Sequence, residues 1–509
     1  QLEHHPDSRG LVLVRPKDAR QKVEKYFNHK QMIGLKVYHI YSSEKPTWQS
    51  SITSFAPEWM WQLVHEQEGI IMLHMVKSRA VSDVSNQLEI RELCEKYPNV
   101  KLILAHCARA FHAKDAKGAS ALRGLENIWF DVSGICEAEP IEQLLYEFGP
   151  RKMMWGSDFP ISETRGRSVT LGDGFTWLQS DTLHQDKACA HAQPILVGLE
   201  SVRALQRAAE SFGLHREDIE NIFYHNALNV MGMCDRKTNH TQALYTKAKS
   251  LIPGGTQLLS KRPELMAPHH WPAYFSEARG CETWDLDGKH YYDMSTNGIG
   301  SCLLGFRDAD VTQAVKRRLH LGSMSTLNPP EEVELAEILC DIHPWAEQAR
   351  FTRSGGEACA AAVRIARATT GRPVIAICGY HGWHDWYLAA NLGENDALKG
   401  HLLPGLDPSG VPEQLRDTAV TFHYNDRQAL QNIVDRYGSR LAAVIMEPCR
   451  HDDPDPGFLQ FVRDEAHRCG ALLIFDEITI GWRLHYGGAH VAFGVHPDLA
   501  VFAKALGNG

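Results

Sequence analysis

The stretches LAAVIME (441–447), ALLIFD (471–476) and LAVFAK (499–504) decide how this chain is read. Each is an apolar run closed by one charged residue: Glu447, Asp476 and Lys504. The intervals are 29 residues (476 − 447) and 28 residues (504 − 476), each the length of a strand and a helical crossover. Short, unbroken apolar runs bounded this way read as strands buried on both faces of a parallel sheet. Open α/β sheets bind ligands beyond the carboxyl ends of their strands. The spacing therefore aims two carboxylates and one amine at a single crevice.

Upstream, Ser354-Gly355-Gly356-Glu357 runs into the Ala-rich stretch ACAAAVRIARA (358–368), which reads as a helix. Glycines opening a helix leave N–H groups unpaired at the positive end of its dipole, a ready place for a phosphate. The strand-like PVIAIC (373–378) follows, then Gly379-Tyr380-His381-Gly382-Trp383-His384. The Tyr380 ring is placed to lie flat on a planar ligand, with His381, Trp383 and His384 expected around the pocket. An Asp facing a Lys at such a crevice is the pair that pyridoxal 5'-phosphate (PLP) requires. The Lys joins the cofactor's aldehyde, and the Asp keeps the pyridine nitrogen protonated so that the ring draws electrons.

With LIPGGTQ (251–257), WDLDGKHYYDMS (284–295), SGGEA (354–358), GYHGWHD (379–385), MEP (446–448), DEITIGWR (476–483) and HPDLAVFAKALGNG (496–509), residues 243–509 resemble a class III, fold-type-I PLP aminotransferase. The likeness is strongest to the glutamate-1-semialdehyde aminomutase branch. It implies that Lys504 carries the cofactor, Asp476 pairs with the ring nitrogen and Tyr380 stacks on the ring. It also implies that Gly355 and Gly356 give phosphate N–H groups, and that His381 and Glu447 stand at the cofactor. Family members often have Ser-Gly-Thr where this chain has Ser354-Gly355-Gly356, so one hydroxyl contact is absent. The expected chemistry is amino transfer between a small-molecule amino donor and a carbonyl acceptor, or an intramolecular shift, in a homodimer. The expected fold is the large domain with a partial small domain, including a hairpin turning at Asp287-Gly288; family residues are expected beyond Gly509.

The first half alternates strand-like runs with helical stretches. The strands are expected at 10–15, 33–40, 69–75, 100–106, 127–133 and 152–158, with helices such as PEWMWQLVHEQ (57–67) and NQLEIRELCEKY (86–97) between them. Three of the strands end in His74, His106 and Asp158. In a β/α barrel such ends converge, and two imidazoles with a carboxylate suit a divalent transition metal, zinc first. MLHMVKS (72–78), YPNVKLILAHCAR (97–109), NIWFDVSG (127–134), MMWGSDFP (153–160) and IFYHNALNVMG (222–232) resemble the amidohydrolase-related metal-dependent barrels, which hydrolyse or decarboxylate small molecules. That likeness implies His74 and His106 as metal ligands, and Asp158 as ligand or general base. The family's His-x-His pair has no counterpart here, so about two strand–helix units are expected to be missing before residue 10. Lys36, in GLKVY, reads as an ordinary strand lysine, with a carbamylated bridging ligand as the alternative.

The fold class is therefore α/β: an incomplete (β/α)8 barrel over 1–235, a polar linker over 236–242, and the fold-type-I unit over 243–509. The segment 168–194 shows little periodicity and reads as a loop over the barrel mouth. A formal net charge of −9 and the lack of a basic run argue against a nucleic-acid partner. No apolar stretch nears the roughly 20 residues of a membrane span, and no signal peptide is evident. Twelve cysteines without a C-x-x-C pair read as reduced thiols in the cytoplasm. A degenerate fusion, with the barrel serving as a binding or scaffold module, is the alternative to two working enzymes.

Overall fold

The computed structural model describes all residues except 1–4, 6, 181–192, 234–238, 296, 394–396, 399–400 and 402–406. It divides into two compact units, Gln1–Ala243 and Leu244–Gly509. Parts of the expected linker and of the expected loop lie outside the described residues. Helix His240–Leu251 already includes the last residues of that linker. Among the described residues no helix is long and apolar enough to cross a membrane, and the described cysteines are free thiols.

In the first unit, β1 (Gly10–Leu13), β2 (Met32–Val37), β3 (Ile70–Leu73), β4 (Lys101–Leu104), β5 (Ile128–Asp131) and β6 (Met153–Met154) form one sheet in chain order. Every neighbouring pair is parallel. Period-2 alternation sends Ile71, Leu73, Leu102 and Leu104 to the large core under the helices, and Ile70, Met72 and Ile103 to a smaller inner cluster. The expected barrel is not closed: β1 and β6 stand at opposite edges of the six-stranded order. Close approach of two strands explains Gly34, whose added Cβ would overlap the Ile70 carbonyl oxygen. Gly34→Ala is expected to cost the first unit ~1–3 kcal/mol or more by forcing β2 from β3. Chemical denaturation checks this, and an unchanged midpoint would refute the described pairing.

The expected mouth loop is in part a hairpin, β7 (Gly166–Leu171) against β8 (Gly174–Gln179), turning at Gly172-Asp173. Gly172 takes φ 59°, the left-handed backbone that a two-residue hairpin turn needs. Its aromatics reach back onto the unit: Phe175 stacks on Phe111 with centroids 4.5 Å apart.

The second unit opens with an antiparallel sheet of β9 (Phe275–Arg279), β10 (Glu282–Asp285) and β11 (His290–Tyr292), which contains the expected hairpin. Its main sheet holds β12 (Val374–Cys378), β13 (Ala419–Thr421), β14 (Leu441–Met446), β15 (Leu472–Asp476) and β16 (Leu499–Val501). The order is β13-β12-β14-β15-β16, all parallel. β12 and β14 are buried along their whole length, as strands covered on both faces must be. One face, with Ile375, Ala443, Ile445 and Ile474, packs on helix Gly355–Thr370. The other, with Ala376, Val444 and Phe475, packs on helices Arg427–Tyr437 and Phe458–Arg468. Strand order reverses between β12 and β14, so the crevice opens there.

Candidate functional site

Glu447, Asp476 and Lys504 stand at or just beyond the ends of the neighbouring strands β14, β15 and β16. Asp476 ends β15 opposite Val501 of β16, three residues before Lys504. Asp476 is buried. Its Oδ2 lies 2.7 Å from His381 Nδ1 and accepts from the Cys359 thiol at 3.6 Å, and its Oδ1 accepts the Ile478 N–H at 3.0 Å. Lys504 is partly buried and donates from Nζ to Thr479 Oγ1 at 3.1 Å. Burial, then the Arg450 charge, draw the Lys504 pKa below the ordinary lysine range, against the pull of Glu447 and Asp476. Lys504 also sits at φ 49°, a left-handed backbone that costs a non-glycine residue about 1–3 kcal/mol.

Glu447 follows β14, buried and bridged through Oε1 to Arg450, while its Oε2 is buried without a partner. Burial pushes the Glu447 pKa up. A cavity of about 340 Å³ opens beside it, lined by Tyr380, His401, His423, Tyr424, Glu447 and Arg450. Burial holds His401 neutral, its pKa down at about 4, and its Nδ1 accepts the Gly379 N–H at 3.1 Å.

Ser354 caps helix Gly355–Thr370 by accepting the Glu357 N–H at 3.3 Å. A Cβ on Gly356 would come within 2.7 Å of His384 Cε1, and one on Gly382 within 3.2 Å of the Gly356 Cα. Glycine thus lets the 379–384 turn approach the helix start. His384 Nδ1 is buried there without a partner. An orphaned imidazole nitrogen beside a helix N-terminus, an amine, and a carboxylate with an orphaned oxygen form a donor set that fits PLP. Of the expected pocket residues, Trp383 is exposed, whereas His381 is buried behind Asp476. Cys359, Thr479 and Arg450 were missed in the sequence. Cys359 had a signal, one helical turn beyond Gly355.

In the first unit, His74, His106 and Asp158 come to one edge. His74 and His106 rings lie 5.2 Å apart, and His106 Nε2 is 4.0 Å from Asp158 Oδ2. His106 Nδ1 meets Ser133 at its carbonyl oxygen (2.9 Å) and at Oγ (3.0 Å). Residues His106 to Arg109 all hold positive φ, between 52° and 57°, at about 1–2 kcal/mol per residue. Burial drives the His74 pKa down to about 3, aided by the charges of His106, Arg109, Lys36 and His39. Lys36 joins this edge from β2, and burial lowers its pKa against the opposing charges of Asp131 and Asp158. The donor types suit a divalent metal, but the spacing does not. Among the described residues His74, His106 and Asp158 do not bring one donor atom each within 4.8 Å of one another.

These features define a two-unit α/β chain whose second unit sets a lysine and an aspartate at the mouth of a parallel sheet. The Aminotransferase class-III family model matches residues 266–509, and the Amidohydrolase family model matches residues 5–232. Residues 5–232 are thus similar to amidohydrolases and residues 266–509 to class III aminotransferases. The chain is 34% identical over 280 residues to the 3-aminobutyryl-CoA aminotransferase of Cloacimonas acidaminovorans (strain Evry), covering 54% of this chain and 63% of that protein. It is 38% identical over 273 residues to a glutamate-1-semialdehyde 2,1-aminomutase of Thermoplasma acidophilum, covering 52% and 62%. An omega-transaminase structure from Sphaerobacter thermophilus matches with a TM-score of 0.46 and 31% identity, over 53% of this chain and 62% of that one. The chain thus spans 62–63% of the length of the two curated relatives.

Proposed function

We propose that the second unit transfers amino groups between small-molecule amines and carbonyl compounds, using PLP held between Lys504, Asp476 and the start of helix Gly355–Thr370. The observation that carries this is the partly buried amine of Lys504, close enough to the Asp476 and Glu447 carboxylates to feel their charges. When bound, the cofactor supplies an electron-withdrawing ring that takes up charge from the carbon beside the substrate nitrogen. Lys504, with its depressed pKa, is the group suited to be neutral, attach the cofactor and then carry the proton to and from that carbon. Asp476, held by His381, Cys359 and the Ile478 N–H, keeps a proton on the ring nitrogen. Tyr380 would cover one ring face and exclude water. Gly355 and Gly356 offer N–H groups to the phosphate, beside His384 Nδ1.

Incubation with PLP followed by borohydride should fix one cofactor per chain, on the peptide containing Lys504. A folded chain that fixes none, or fixes it elsewhere, refutes the reading.

For the first unit, hydrolysis or decarboxylation of a small molecule is supported by the family match and by the common edge of His74, His106 and Asp158. The scaffold alternative is favoured by the wide spacing of those donors. Metal analysis of the full chain and of His106→Ala separates the two: metal retained by the parent and lost by the variant supports catalysis.

A further inference from the structure

We propose that Cys359, His381 and Asp476 form a binding site for a thiophilic divalent cation such as Zn²⁺, filled in competition with the pyridine ring of the cofactor. The competition rests on the amino-transfer reading; the cation site itself does not. Cys359 Sγ, His381 Nδ1 and Asp476 Oδ2 all lie within 4.8 Å of one another, and all three residues are buried. They come from three elements: helix Gly355–Thr370, the turn after β12 and the end of β15. Packing fixes Cys359 and Asp476. Cys359 belongs to the same apolar cluster as Ile375 and Ile474, and Asp476 follows Ile474 on that face.

The imidazole shows why a cation suits this corner. His381 Nε2 lies 3.1 Å from the Cys378 carbonyl oxygen, an acceptor only. Its Nδ1 lies 2.7 Å from a carboxylate oxygen, again an acceptor when ionised. A neutral ring has one N–H and satisfies only one of these contacts. With the hydrogen on Nε2, a lone pair on Nδ1 faces Asp476 Oδ2, and either a proton or a metal ion must stand between them. The Cys359 sulfur is the third donor at the same oxygen, 3.6 Å away.

Sulfur, imidazole nitrogen and carboxylate oxygen together select zinc-like ions over magnesium or calcium, which take oxygen ligands. Burial and the Asp476 charge hold the Cys359 thiol well above its ordinary pKa, so the sulfur stays protonated until a cation displaces that hydrogen. Binding therefore releases the thiol proton, together with any hydrogen standing between His381 Nδ1 and Asp476 Oδ2, to solvent. Thiolate, neutral imidazole and carboxylate remain, and their two negative charges match the ion. Asp476 Oδ1 already accepts the Ile478 N–H, so the ion and the ring nitrogen compete for Oδ2.

Cobalt(II) reports the site, because thiolate ligation gives a charge-transfer absorption that a His/Asp site lacks. Added to the full chain after removal of PLP with hydroxylamine, Co²⁺ should produce this band. Cys359→Ala and Cys359→Ser should lose it, and prior loading with PLP should suppress it. Cys359→Ser keeps a hydrogen-bond donor of similar size, and an unchanged thermal unfolding curve shows that it folds. No band in the parent chain, or a band surviving both substitutions, overturns the site. Full band strength in a chain that also carries PLP overturns the competition. A chain that takes up no PLP, yet loses the band in Cys359→Ser, keeps the metal site and refutes the amino-transfer reading instead.

Discussion

Lys504→Ala should abolish cofactor fixation by borohydride and slow single-turnover amino transfer by roughly 10²–10⁴-fold, the share a positioned acid–base group supplies. Lys504 stands on β16's exit beside Asp476, and Thr479 Oγ1 accepts from its ammonium. Alanine leaves the neighbouring carboxylates in place, so PLP should still bind, only without attachment. The sign of the pH dependence follows from the environment of the amine. Attachment requires neutral Lys504, and its folded pKa is lowered from 10.5 by burial first and by Arg450 second. The rate of fixation should therefore rise with pH and level off below the range of free lysine. Arg450→Ala removes the nearby cation and releases Glu447 from its bridge. Loss of the nearby positive charge raises the Lys504 pKa, so the profile should move to higher pH. A profile that stays put separates Arg450 from the amine, and full turnover in Lys504→Ala assigns the proton transfer to another group.

What the sequence made legible was periodic. Strand-and-crossover units have a preferred length, so the intervals separating Glu447, Asp476 and Lys504 located three neighbouring strand ends. The same logic found His74, His106 and Asp158 on one edge. Contacts set by tertiary packing were not legible. Lys36 and Asp131 share the inner side of their strands, but only the fold brings them to Asp158. His381 looked like a pocket residue because it follows Tyr380, whereas its ring turns under the sheet end to Asp476. The left-handed run from His106 contains no glycine, so no backbone signal announced it. The Gly172-Asp173 turn did carry one, the Gly-Asp pair itself between two strand-like flanks, but it stands outside the helical and barrel periods of the rest of the unit.

Glu477 is the sharpest case, and its replacement should have the largest effect on stability. It follows Asp476 directly, so the pleat turns it to the opposite face, beside Phe475 rather than Ile474. There it is fully buried with His490. Its Oε1 accepts the His490 backbone N–H at 2.8 Å and faces His490 Nδ1 at 2.7 Å; its Oε2 accepts the Ala489 N–H at 3.0 Å. Gly488 lets the chain come this close: at φ 113°, a Cβ there would lie 2.9 Å from Glu477 Oε1. Glu477→Ala strands two backbone donors and an imidazole in a dry interior. Each buried donor left without its acceptor costs about 1–3 kcal/mol, and that loss should appear in the urea midpoint of the second unit's transition. His490→Ala should cost less, because the carboxylate keeps both backbone N–H groups. The order of the two losses is the test. If His490→Ala is the more damaging, the carboxylate is not the hub of this corner, and residues 477 and 490 are joined chiefly by packing.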